Sequence, residues 1–432
     1  MGSRDGGLGP RVLGVVSFAL LLASCGGTAG SSGGGAGDSR AEPTTAEDEV
    51  RRRSCKGRDV PVPSAIDLGG VASAIAVGDL DGDGCRDVAA YVIHTTPDAE
   101  QSLYLRVAFG DVRATYARRW EVLLAEAQGV PEQPPVLSVR DTSDDAVAIV
   151  DVDGDGKADV LTAAGVARWT SRGLAWTPLP ESSREALSPV RLFDLDGTGA
   201  KTIVRGTHAG EVERCSLGGA CSLLPRAGAD TFPVTDLVVG DFDHDGREDL
   251  LVGRHDEVHM DEQFFLHYRT WLYASRTAFA TPVMIDGMHS VDLEVADLDG
   301  DGFPDVAAQV REAIPDFPST TDLWVSKPTG FERRATLQNH DNHQDKAKLV
   351  DVDGDDCVDY LKIGVDFGVG IHWGRCAGRA VQYDERAVFV SGATGIGVQL
   401  FDLNGDGKGE IVVRPGVDGR PSLEVLPAPV KP

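Results

Sequence analysis

Apolar and polar residues alternate in short stretches along most of the chain, and seven of these stretches end at the same aspartate-rich break. Ahead of the breaks, apolar residues take every second position: Ile75 and Val77, Val147 and Ile149, Val190 and Leu192, Leu237 and Val239, Leu293 and Val295, Ala347 and Leu349, Val398 and Leu400. The position between them accepts Arg191, Glu294, Lys348 and Gln399. A period of two is that of a strand with one buried face. After each break a second apolar run opens, at Val88, Val160, Ile203, Leu250, Val306, Tyr360 and Ile411, so each break joins the strands of a hairpin. Further strands are expected at Leu103–Phe109, Phe265–Tyr273, Leu323–Ser326, Val369–Trp373 and Leu423–Leu426.

The break is a nine-residue pattern with side-chain oxygens at positions one, three, five and nine. Its copies carry Asp79, Asp81, Asp83 and Asp87; Asp151, Asp153, Asp155 and Asp159; a weaker Asp194, Asp196, Thr198 and Thr202; Asp241, Asp243, Asp245 and Asp249; Asp297, Asp299, Asp301 and Asp305; Asp351, Asp353, Asp355 and Asp359; and Asp402, Asn404, Asp406 and Glu410. Carboxylates so close repel one another unless a cation lies among them. Ca²⁺ takes six to eight oxygens at about 2.3–2.6 Å without strict angles, and a glycine at position six permits the sharp turn. The pattern therefore predicts up to seven calcium sites that are part of the fold. The third loop, with only two carboxylates, is expected to be the weakest, and Asp356 stands where the other loops have glycine. An EF-hand would need an acidic residue at position twelve, where Ala90, Thr162, Arg205, Val252, Ala308, Lys362 and Val413 stand instead.

Successive loops start 43 to 72 residues apart, the spacing of a four-stranded propeller blade. The loops, their number and their spacing resemble the FG-GAP/VCBS repeats of integrin α-subunit-like propellers. The resemblance implies an all-β, seven-bladed β-propeller over residues 55–432, with six or eight blades left open by the long first interval. A strand near Ile66–Leu68 is expected to complete the last blade. The resemblance also implies calcium-dependent binding or scaffolding, with a protein or an extracellular polymer as partner. A carbohydrate-binding, lectin-like propeller and a polysaccharide lyase or hydrolase are the alternatives.

The ends and the composition add the compartment. Arg4 and Arg11 precede an apolar run from Val12 to Ala23 that ends at Ser24-Cys25, resembling the lipobox of bacterial lipoproteins. Residues 1–24 are thus expected to be a signal peptide, Cys25 the lipidated residue, and residues 25–54, rich in Gly and Ser, a flexible tether. Gly26 after the cysteine favours export to an outer membrane. Six further cysteines in an exported chain predict disulfides, with fifteen possible pairings. Cys215 and Cys221 enclose a hairpin-like tip and are expected to pair; Cys357 with Cys376 and Cys55 with Cys85 follow by nearness. A net charge of −27 argues against nucleic acid as partner.

Three other groups invite a functional reading. His340, Asp341, His343 and Asp345, and the stretch from His255 to His267, have ligand-type residues but no known zinc spacing. Phe264, Phe265, Tyr268, Trp271 and Tyr273 could stack on a sugar, although strand alternation places them more readily in a core. Outside the Gly/Ser-rich tether no Gly-x-Ser-x-Gly elbow occurs, nor does a phosphate-cradling loop or a His-Glu-x-x-His anywhere, so binding rather than catalysis is expected.

Overall fold

A computed structural model describes most of residues 55–429; residues 1–54, the stretches 97–100, 128–145, 181–187, 311–319 and 339–345, and some shorter gaps lie outside the described residues. The signal segment, Cys25, the tether, Asp196 and the cluster from His340 to Asp345 are therefore outside it.

Among the described residues, seven four-stranded antiparallel sheets follow one another along the chain. Blade one runs from Val71–Gly78 to Arg118–Ala127, blade two from Val147–Val150 to Gly173–Pro178, and blade three from Val190–Phe193 to Cys221–Leu223. Blade four runs from Val234–Gly240 to Val283–Met284, blade five from Asp292–Ala296 to Gly330–Gln338, and blade six from Lys346–Val350 to Val388–Ser391. Blade seven has Gly397–Phe401, Glu410–Arg414 and Leu423–Leu426, and its outer strand is Ala65–Ile66 from the other end of the propeller. The third strands lie where the sequence pattern puts them, in Gln101–Phe109, Gln263–Tyr273, Thr320–Lys327, Gly368–His372 and Leu423–Leu426. The protein is an all-β, seven-bladed propeller.

The alternation read from sequence survives in the first strand of blade six, where Ala347 and Leu349 are buried and Lys348 between them is half-buried, but not in Val71–Gly78, whose first six residues are all buried, and the second strands lose it as well. Asp159–Thr162 and Glu410–Arg414 are buried along their whole length. A second strand is covered on both faces by neighbouring blades, so a continuous apolar run such as Ile411-Val412-Val413 replaces the in-out pattern. Seven hydrophobic clusters fill the seven gaps between adjacent blades, including the gap between blades seven and one, where Leu403, Val412 and Leu423 meet Ile75 and Val88. Arg191, Glu294 and Lys348 line a cavity of about 240 Å³ with Val238 and Val295, and Lys348 pairs there with Glu294.

An additional hairpin, Gly374–Ala377 with Ala380–Tyr383, projects between the third and fourth strands of blade six. Its Val381 N–H donates to the Leu298 carbonyl in the loop of blade five at 2.9 Å.

Candidate metal centres

Every aspartate-rich loop connects the first and second strands of a blade, and all seven share one hydrogen-bond frame. The carboxylate at position one accepts the N–H of position six in each, from 2.8 Å at Gly156, Gly199 and Asp356 to 3.1 Å at Gly407. The oxygen at position five accepts the N–H of position seven in each, from Asp83 with Cys85 to Asp406 with Lys408, with the Thr198 hydroxyl in the third loop. Position six needs a left-handed backbone to make this turn: φ is 85° at Gly84 and 63° at Asp356.

Position nine does the most structural work. One oxygen of Asp87 accepts the Leu80 N–H at 2.8 Å, and the other accepts the Gly110 N–H at 2.9 Å. Asp305 bonds in the same way to Leu298 and Ser326, and Asp359 to Val352 and Gly374. The carboxylate therefore ties the start of its loop to the end of the third strand.

Position two, apolar in every loop, anchors the turn from below. Leu80, Val152, Phe242, Leu298, Val352 and Leu403 are buried, and with the half-buried Leu195 each joins the cluster between its own blade and the next. Sequence reading missed this, although the unbroken Leu, Val, Leu, Phe, Leu, Val, Leu series was a signal for it.

Positions one, three and nine converge. Carboxylate oxygens of Asp79, Asp81 and Asp87 lie within 4.8 Å of one another, as do those of Asp151, Asp153 and Asp159, of Asp241, Asp243 and Asp249, and of Asp297, Asp299 and Asp305. At position five, Asp83, Asp155, Asp245 and Asp301 each accept the N–H of position seven of their own loop. In the third loop Asp194 bonds Gly199, and Lys201 and Glu248 form an ion pair at 3.6 Å.

The triads fit a divalent cation. Asp79 Oδ1, Asp81 Oδ1 and Asp194 Oδ1 are buried with no hydrogen-bond partner, an arrangement that is costly for a carboxylate oxygen unless a cation faces it. Burial pushes the Asp87 carboxyl up to about 8, against the Leu80 hydrogen bond and with Asp81 adding its repulsion. Burial likewise lifts Asp249 and Asp305 to about 6, and raises Asp159, Asp243 and Glu410. A donor set made only of oxygens selects a hard ion such as Ca²⁺.

Neighbouring loops also touch. The ring of His244, position four of the fourth loop, stacks on Phe303 of the fifth with centroids 3.7 Å apart. Its Nε2 lies 2.9 Å from Ser326 Oγ, and the Ser326 N–H donates to Asp305. Disulfides Cys55–Cys85 and Cys357–Cys376 start from position seven of the first and sixth loops, and Cys215–Cys221 closes the outer hairpin of blade three. Disulfides of this kind belong to an oxidising compartment.

The remaining sequence candidates have a plainer structural place. Residues from His255 onward form the distal part of two long paired strands, Asp249–Met260 and Gln263–Tyr273, rather than a loop. Tyr268 and Tyr273 are buried, so these two aromatics belong to the core and not to an exposed stacking surface. No helix among the described residues is long and apolar enough to cross a membrane.

Fold and loops together define a seven-bladed β-propeller with carboxylate-bearing hairpin turns. Residues 241–308, which span the fourth and fifth loops, match the sequence model of the FG-GAP-like repeat. No curated protein matches the chain. Among solved structures it is similar to BBS1N in complex with ARL6DN, at 13% identity over 87% of this chain and 98% of that one, with a TM-score of 0.48. It is also similar to Sqt1 from Chaetomium thermophilum, at 13% identity over 83% and 88% of the two chains, with a TM-score of 0.46. A protein from Lactobacillus plantarum gives 13% identity over 74% and 85%, with a TM-score of 0.40. Nothing about partners is carried over from likenesses so remote.

Proposed function

We propose that this protein is an exported, lipid-anchored envelope protein whose propeller is made rigid by calcium and serves as a binding or scaffold module for a protein or an extracellular polymer. The repeat family supports a binding or scaffold role in general. The calcium reading is carried by one observation: convergent carboxylate triads on a hydrogen-bond frame repeated in all seven hairpins. Positions one, three and nine would hold the ion, which supplies charge compensation. Because position two of each loop reaches between blades, a filled loop would also stiffen the ring, leaving the loops and blade edges as a firm binding surface. Cys25 would carry the lipid and residues 25–54 the tether; the three disulfides support export.

The test is calcium stoichiometry and thermal melting of the purified protein, with and without chelator. Five to seven bound ions and a large drop in Tm on chelation are expected. A protein that binds no calcium and melts indifferently to chelator would overturn the reading.

A further inference from the structure

In all four triads named above, a basic side chain from the same region of the blade meets the position-three carboxylate, always at Oδ2. Arg118, first residue of the fourth strand of blade one, reaches Asp81 at 2.7 Å. Arg168, on the third strand of blade two, reaches Asp153 at 3.4 Å. Arg276, in the 3-10 turn Ser275–Thr277 after the third strand of blade four, reaches Asp243 at 3.1 Å. Lys327, last residue of the third strand of blade five, reaches Asp299 at 3.0 Å.

The first of these cations is also held from behind. The Arg118 guanidinium lies 3.8 Å over the Phe109 ring and 5.8 Å from that of Trp169, an aromatic seat that fixes it over the first loop. Asp81 is divided between two roles, with Oδ2 on Arg118 and its buried Oδ1 without a hydrogen bond. A carboxylate engaged in this way is steadied in an empty loop, but the same positive charge repels an incoming dication a few ångströms away.

We propose that Arg118, Arg168, Arg276 and Lys327 are built-in counter-charges that hold their loops together when metal is absent and weaken calcium binding when it is present. Resting on the calcium reading above, this makes the four loops responsive to calcium supply rather than permanently filled. The contrary role, in which the cation orients the carboxylate for metal, would make binding tighter with the cation than without it.

The experiment compares calcium titrations and melts in chelator for the full-length wild type, the single variants Lys327→Met and Arg276→Met, the combined fourfold methionine variant, and Lys327→Arg. The methionine variants are expected to bind calcium about three- to tenfold more tightly at the altered loops, while Tm in chelator falls by about a degree in the single variants and by several degrees in the fourfold one. Lys327→Arg, which keeps the charge, should leave both quantities near wild type. Methionine variants that bind calcium no tighter, or more weakly, overturn the proposal while leaving the calcium reading intact. A wild type that takes up no calcium overturns that reading and this proposal with it. Should the fourfold variant fail to fold in chelator, the single variants decide.

Discussion

Ile66 stands directly opposite Leu423 in blade seven, so the strand that opens the propeller pairs with the third strand of its last blade. Ser422 reinforces the join: its Oγ accepts the Leu68 N–H at 2.8 Å and donates to the Gly70 carbonyl at 2.5 Å. The pairing covers the open edge of Leu423–Leu426 and buries Ile66 to 2% exposure. Replacing Ile66 by Ala is expected to cost about 3 kcal/mol, from lost burial and the space left behind. Ser422→Ala strands the buried Leu68 N–H and should cost roughly 1–3 kcal/mol. Urea unfolding of the two variants checks both values, and wild-type stability for Ile66→Ala would show that the closing strand carries no weight.

Position nine should matter more than position five for the metal-free fold. In Asp87→Asn an amide NH₂ must face one of the two backbone N–H groups that the carboxylate now accepts, at a cost of roughly 2–3 kcal/mol in chelator. Asp155 is exposed and accepts the Lys157 N–H, with the ammonium of the same lysine 3.9 Å away, so Asp155→Asn should stay within about 1 kcal/mol under the same conditions. Equal losses in chemical denaturation would contradict this ranking.

The pH dependence of the chelated protein follows from the raised carboxyls. Asp87 at about 8, and Asp249 and Asp305 at about 6, all lie above the ordinary value of 3.8. Between about pH 4 and pH 8 the folded chain therefore holds more protons than the unfolded one, and stability falls as pH rises through that window. Tm in chelator is expected to decline from about pH 5 to about pH 8. Excess calcium should flatten or reverse the trend, since the metal displaces those protons. A Tm in chelator that climbs with pH would count against the buried, uncompensated triads described above.

Reduction should act unequally on the disulfides. Cys55–Cys85 joins residues 30 apart and Cys215–Cys221 residues 6 apart. In the chain-entropy picture the longer closure is worth roughly 3.5 kcal/mol and the shorter roughly 2 kcal/mol. Paired Cys→Ser variants compared by denaturation give the two values. Only loss of the Cys55–Cys85 bridge should also weaken calcium binding in the first loop, where Cys85 is position seven.

Asp356 and His244 both have left-handed backbones, with φ of 63° and 60°. Asp356→Gly should stabilise the protein by about 0.5–1 kcal/mol, because glycine adopts that conformation without a side-chain clash. His244→Gly should instead destabilise, because it also removes the stack on Phe303 and the contact with Ser326. Thermal melts of the two variants should move in opposite directions.

The hairpins, their loops and their repetition were legible because each is written within about a dozen residues: apolar alternation, an acidic turn, a second apolar run. The strand that closes the ring was expected at Ile66–Leu68 and lies at Ala65–Ile66, one step displaced because Leu68 turns away to bond Ser422. The hairpin inserted in blade six was not foreseen. Its strands are four residues each, too short to declare a period.

The sequence alone determined that this is a seven-fold repeat of β-hairpins with oxygen-rich turns, because turn geometry and strand periodicity are local properties of the backbone. The tertiary structure decided how the turns are neutralised and anchored. Arg118 is 37 residues from Asp81, and Ser422 is 354 from Leu68. Such partners meet only after the strands stack into a blade and the blades close into a ring, since burial and electrostatics act through distance in space and not along the chain.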